Sequence, residues 1–365
     1  MNNNTIKLQV IKAVQPIGSF YISKISCQEL LGLSAVDRRH ITIDEEVLGV
    51  QRPLKKDKIQ EIKRYLTTKN ATFPNSIIVN VKRDNVVKET DSELELKCQD
   101  DTFTIIDGQH RLFGFEDYND GQFELILTIF VGLETDLQAE VFSIINSRQT
   151  KVDPSLNINL ELADKTSNPR KMLVQIAESF NYDKGSPWYN NIKLLGSQSD
   201  GMLSLSAFVN PLCNLTYPER EFYTIKNRLT KSYPAFPSFD DIIVDNNRYP
   251  FWRFYIRQES SVVYKILLNY FNAVKRNLHN DWLNPESLLN KTSGYNAMMK
   301  LLGDVILVGL QEKKLSEDFF YNLLIPLSDM EGTITSEKYG SSGVFSATSL
   351  YHDMLDLLKL PEVRG

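Results

Sequence analysis

The sequence predicts an α+β protein, with a mixed domain over residues 1–155 followed by a mainly helical domain over residues 156–365. Three observations carry this. β-Branched and aromatic runs crowd the first part of the chain. Apolar residues recur at helical spacing through the rest, and strand signals thin out beyond Pro154.

Ile6 to Val14 and Ser19 to Ile25 predict two strands, with Pro16 and Gly18 marking the turn between them. Asp57 to Leu66 predicts an amphipathic helix. Ile59, Ile62 and Leu66 share one face, while Lys58, Glu61, Lys63 and Arg64 can face water. Ser76 to Val81 predicts a strand, Asp84-Asn85 begins a turn region, and Phe103 to Ile106 is a compact apolar run that stops at Asp107-Gly108. Because Leu112 and Phe115 then fall at helical spacing, the chain passes from strand through turn to helix at residues 107–111. Glu124 to Val131 predicts a further strand, and Leu137 to Ile145 a helix whose apolar face is Leu137, Val141, Ile144 and Ile145. Later helices are predicted over Leu156–Ala163, Arg170–Phe180, Ser261–Leu278, Tyr295–Leu310 and Ser316–Leu324. No internal repeat or low-complexity tract interrupts them.

Composition narrows the function classes. A hydrophobic content of 42% supports a substantial core. With 41 basic and 46 acidic residues the formal charge is -5, which argues against coating nucleic acid by bulk electrostatics and leaves only local DNA contacts. Cys27, Cys98 and Cys213 lie far apart without CxxC spacing, so neither a disulfide framework nor a structural zinc site is expected, and a reducing cytoplasm is the expected compartment. The polar start Met-Asn-Asn-Asn-Thr lacks the apolar core of a signal peptide, and the apolar run Val305 to Leu310 is too short to span a bilayer, so no membrane role is expected. His40, His279 and His352 have no neighbours at metal-ligand spacing.

Chemistry concentrates in Asp107-Gly108-Gln109-His110-Arg111. A glycine after a buried strand permits a tight turn, and the helix that follows offers unpaired N–H groups and the positive end of its dipole. Cations are disfavoured in a first helical turn, so a bound phosphate would offset the placement of His110 and Arg111. Arg111 would grip phosphate oxygens in a fork; His110 would donate a hydrogen bond or move a proton. Asp107 would cap the helix or hold a magnesium ion, and Gln109 could contact a base, ribose or phosphate. A capped, solvent-facing turn explains the same five residues without a ligand. Arg52, before Pro53, can reach phosphate or DNA, or pair with Asp57 or Glu61. Lys55, Lys56, Lys58, Lys63 and Arg64 form a basic strip suited to a DNA backbone, although interspersed acids favour a solvated face. Asn146, Arg148, Gln149, Thr150 and Lys151 form a polar cluster suited to the wall of a ligand site; without a glycine-rich loop it is not a P-loop. The aromatic stretch Tyr249 to Tyr255 could stack bases but is more readily core or interface, and the stripe Tyr264, Leu267, Leu268 and Phe271 is more readily core than partner surface.

The pentapeptide resembles the signature of the DGQHR-domain family, which includes the DndB proteins of DNA phosphorothioation and the DpdB-like proteins of deazaguanine DNA modification. Further landmarks are Gly49-Val50-Gln51-Arg52, Phe73-Pro74, the run Phe142 to Val152, Ser186-Pro187 and Ile192 to Gly196. The segment Asn146-x-x-Gln149-Thr150-Lys151-Val152 is more similar to the DpdB-like branch than to DndB. The N-terminal domain also distantly resembles the ParB and sulfiredoxin fold, in which a comparable turn contacts nucleotide phosphates; this gives Gly108, His110 and Arg111 the phosphate role. The resemblance implies a nucleotide-binding accessory protein of a bacterial DNA-modification or phage-defence system, taking ATP or another nucleotide with or without Mg²⁺, and leaves ATP hydrolysis open. Asp107 and His110 are then the catalytic candidates, and Gly108, Gln109, His110, Arg111, Arg52, Asn146, Arg148 and Gln149 the nucleotide contacts. Its partner would be a modification enzyme of the same operon. The alternative is a DNA-binding regulator of such an operon, acting through Arg52, Lys55 and Lys56. A third is an assembly scaffold whose helical domain docks a partner enzyme.

Overall fold

The computed structural model describes residues 5–34, 54–119, 121–147, 153–194, 202–340 and 343–360. The chain is mixed α and β, with a sheet-bearing first part and a mainly helical second part. It divides into two compact units, Met1–Lys151 and Val152–Gly365.

In the first unit the chain runs through β1 (Thr5–Gln9), β2 (Ile11–Gln15), β3 (Gly18–Ser26), α1 (Cys27–Leu33), α2 (Lys56–Leu66), β4 (Ile77–Val81), β5 (Val86–Glu89), β6 (Glu93–Lys97), β7 (Thr104–Asp107), α3 (Gln109–Phe113), β8 (Glu124–Val131) and α4 (Thr135–Ser147). A five-stranded sheet has the order β2-β3-β8-β4-β7, and a three-stranded sheet the order β1-β6-β5. The single strand expected over Ile6 to Val14 is therefore two strands in different sheets. The ladder breaks at Val10, which is itself buried and donates its N–H to the Ser92 carbonyl at 3.0 Å. The expected turn is present: β2 and β3 form a hairpin ending in the pair Gln15↔Gly18, where Gly18 has φ 124°.

β8 is the middle of the larger sheet, antiparallel to β3 and parallel to β4. Leu125, Leu127 and Ile129 pack into one core with Leu30 and Leu112. On the other face, Phe130 packs with Ile106 and with Val141 of α4. The β5–β6 hairpin escapes sequence reading because only Leu94 and Leu96 point inward between charged neighbours. α1 escapes it too, although Ser26 and Glu29 form a reciprocal capping box.

The second unit contains α5 (Pro154–Asn159), α6 (Pro169–Tyr182), α7 (Leu205–Thr216), α8 (Phe222–Ser232), α9 (Trp252–Tyr255), α10 (Ser260–Asn277), α11 (His279–Leu283), α12 (Thr292–Glu312), α13 (Glu317–Leu324), α14 (Ser336–Tyr339) and α15 (Val344–Leu358). The five helices expected from periodicity are present; that over Leu156–Ala163 consists of α5 and a 3-10 turn. α7 carries Pro211 in its interior, which hides it from a propensity reading. Phe251, Trp252, Phe254 and Tyr255 are buried, as are Leu267 and Phe271, so the aromatic stretch and the apolar stripe are core.

α12 starts against the preceding turn so tightly that a Cβ on Gly294 would lie 2.1 Å from the Leu288 carbonyl oxygen and 2.6 Å from the Leu289 Cα. Gly294→Ala is expected to cost about 3 kcal/mol, because backbone cannot yield as a side chain can. Gly303→Ala, in the same helix, meets only the Leu215 Cδ2 at 3.3 Å. It should be neutral within about 1 kcal/mol. Urea unfolding of both variants checks the contrast.

Candidate functional site

β7 reaches the site through an irregular ladder. Val79 pairs with Ile105 and Ile78 pairs with Asp107, so Ile106 is an extra residue on β7. Ile105 enters the larger core and Ile106 the core beneath α4. The chain then turns at Gly108, whose φ of 100° and ψ of 10° put it in the left-handed region. A Cβ there would also lie 3.0 Å from Arg111 Nη2 and 3.1 Å from Ile77 Cγ1, so glycine is required twice over.

Arg111 is the centre of this turn. Its Nη1 donates to the Asn75 carbonyl at 2.7 Å, and its Nη2 to the Ser76 carbonyl at 3.0 Å and to Asp107 Oδ2 at 3.1 Å. One planar cation thus joins the segment entering β4, the end of β7 and the first residues of α3. Ser76 is held further by a 2.8 Å hydrogen bond from Thr128 Oγ1 of β8. From sequence this guanidinium is expected to fork onto phosphate; in the structure both of its terminal nitrogens donate to protein acceptors. Asp107 likewise does not cap α3. Gly108 holds the cap position, no side chain caps the helix, and the Asp107 carboxylate accepts from Arg111. The dipole argument also fails here, because α3 is five residues long and its first turn is nearly its last.

His110 points to a different partner. Its Nε2 accepts the backbone N–H of Lys55, the cap residue just before α2, at 3.0 Å. Close packing of α2 on α3 makes this reach possible: a Cβ on Gly114 would lie 2.2 Å from Ile62 Cγ2. Burial holds the His110 pKa below the ordinary imidazole value, the Lys58 and Lys55 charges push it lower, and Asp107 opposes them.

Around this imidazole lies positive charge. Lys55, Lys56 and Lys58 are exposed, and among the described residues none of them has an ion pair, whereas Lys63 pairs with Asp117 at 2.5 Å and Glu116 at 3.9 Å. Within the strip the exposed Asp57 lies between Lys56 and Lys58, and Lys63 is the lysine held by acidic partners. The Asp107 carboxylate holds the Arg111 guanidinium, and no group of three or more His, Cys, Asp or Glu side chains that could hold a metal ion is found among the described residues. Gln109 is half-buried beside the turn. Arg52, Arg148 and Gln149 lie outside the described residues; Asn146 falls in α4, and its side chain is outside the described set. Sequence reading missed the Asn75 and Ser76 carbonyls, since main-chain acceptors carry no residue signature. It also missed the pairing of Lys55 with His110, for the same reason.

A family model described as DndB, DNA-sulfur modification-associated, matches residues 8–207, more than half of the chain. The chain belongs to the DndB family. The match begins within β1, covers the rest of the first unit and extends to the start of α7 in the second. It associates this DndB-family chain with DNA-sulfur modification. No curated protein and no solved structure matches the chain. No described helix is long and apolar enough to cross a membrane.

Two outcomes follow from the geometry. Removing the guanidinium leaves two carbonyls and a carboxylate short of donors, so Arg111→Ala should cost about 2 kcal/mol in urea unfolding, with Arg111→Lys recovering part of it because an ammonium cannot span all three. His110 titrates below its unfolded value, so its contribution to stability is complete above the ordinary imidazole pKa and is lost as pH falls through that value toward the folded one. Lys58→Gln should move the His110 midpoint upward, measured by NMR of the imidazole; an unchanged midpoint would contradict the electrostatic account.

Proposed function

We propose that this DndB-family chain binds a phosphate-bearing ligand, a nucleotide, where the 107–111 turn meets the start of α2, and serves a DNA-sulfur modification system as an accessory protein. The observation that carries this is the gathering of Lys55, Lys56 and Lys58, which have no ion pair among the described residues, at a helix start beside His110. α2 has no side-chain cap, so its first N–H groups add to the attraction for an oxyanion. In this reading the lysines supply the attraction, His110 contacts the ligand through its ring, and Gly108 with Arg111 keeps the turn in place. The remote likeness to the ParB and sulfiredoxin fold supports a phosphate role for the turn, with Arg111 as its brace. Gln109, Arg52, Asn146, Arg148 and Gln149 remain the proposed further contacts.

Binding has better support than hydrolysis. Asp107 is engaged by Arg111 and His110 Nε2 by a main-chain N–H, so neither is poised to take a proton from water. The modification enzyme of the same operon is the proposed partner, in the cytoplasm. DNA is the second reading, favoured by the exposure of Lys55 and Lys56 on an otherwise acidic chain.

Calorimetric titration with ATP, CTP and ADP, with and without Mg²⁺, separates the two when run beside duplex DNA at low salt. Lys55→Gln combined with Lys58→Gln should weaken nucleotide binding by about ten-fold or more, the loss of two charged contacts. Retention of DNA with no nucleotide bound would replace this reading by the regulator, and absence of both ligands would overturn each.

A further inference from the structure

We propose that His110 is a proton-operated latch on the first turn of α2. A helix often secures the N–H of its cap residue with an acceptor three residues on, the reciprocal half of a capping box. In α2 the cap residue is Lys55, and the residue three positions on is Lys58, an ammonium with no acceptor. The missing acceptor comes from another helix: His110 Nε2, carried by α3, takes the Lys55 N–H at 3.0 Å. To accept, Nε2 must be bare, which places the ring proton on Nδ1.

Protonation reverses this contact. An imidazolium has two donors and no acceptor, so Nε2–H would face the Lys55 N–H and the bond would give way to repulsion. The surroundings decide how readily that happens. α2 contributes Lys55 and Lys58, both of which disfavour a second charge beside them. β7 contributes Asp107, which favours it, but its Oδ2 is already bound to Arg111 of α3, a cation itself. α1, also packed on α3, carries Glu29, which is bound to Ser26, and the buried Cys27. The neutral ring therefore prevails near neutrality and acidification opens the latch, freeing the turn that displays Lys55, Lys56 and Lys58. An oxyanion held by those lysines would cancel part of their field, so ligand binding and protonation of His110 are coupled. This coupling rests on the phosphate reading above; the latch itself does not.

NMR of the labelled full chain, with no ligand, tests it between about pH 8 and about pH 5. Nitrogen shifts should place the proton on Nδ1 at the upper end. Amide-exchange protection at Lys55, corrected for the intrinsic rate, should fall about ten-fold as the ring titrates. Protection at Leu112, whose N–H binds the Gly108 carbonyl at 3.0 Å, should hold. His110→Gln keeps an acceptor that cannot titrate and should leave Lys55 protection independent of pH; should that variant not fold, the contrast between Lys55 and Leu112 in the unaltered chain decides alone. Protection at Lys55 that stays flat through the ring titration overturns the latch, as does a protonated Nε2 at the upper end. Adding ATP then separates the two ideas: a working latch whose midpoint ATP leaves unmoved, with no ATP bound, supports the latch and sinks the phosphate reading.

Discussion

One guanidinium holds the site together. Arg111 sits where the chain reverses from β7 into α3, and it answers three acceptors that no regular secondary structure satisfies: two carbonyls leading into β4 and the carboxylate that ends β7. Partly buried, with side chains about one-fifth to one-quarter exposed, the Arg111–Asp107 pair alone has a modest worth. Its value lies in geometry. Only a planar fork with several donors can serve all three acceptors at once, and only glycine at position 108 leaves room for it.

This arrangement changes how the pentapeptide is understood. Charged residues after a glycine invite the view that each faces a ligand. Here Asp107, Gly108 and Arg111 are mutually engaged, and His110 serves the neighbouring helix. Beside the turn, Lys55, Lys56 and Lys58, some fifty positions earlier in the chain, have no ion pair among the described residues and are brought near because Gly114 lets α2 press against α3.

Much of the fold was legible beforehand, for physical reasons that vary by element. β8 agreed with its expected limits because it is a nearly continuous β-branched and apolar run, even though Ile126 lies exposed on one of its faces. α2 was plain because its apolar residues recur on one face of an exposed helix. The sheet change at Val10 was not legible, since an unbroken apolar run does not say which partner each half will find. The β5–β6 hairpin was hidden by its charged outward residues, and α7 by its proline. Within the site, the turn and its glycine were readable. The hydrogen-bond partners were not, because three of the four involve main-chain atoms distant in sequence.

The extra residue in β7 has a wider meaning. Because Ile106 is unmatched on β4, the strand changes phase by one residue just before the turn, and two consecutive isoleucines can serve two different cores. The length of this short strand is consequently as constrained as its chemistry. Losing one residue would restore an even ladder, yet would exchange inside for outside at its end and carry the carboxylate away from its cation. Evolution can vary the side chains here more freely than it can vary their number.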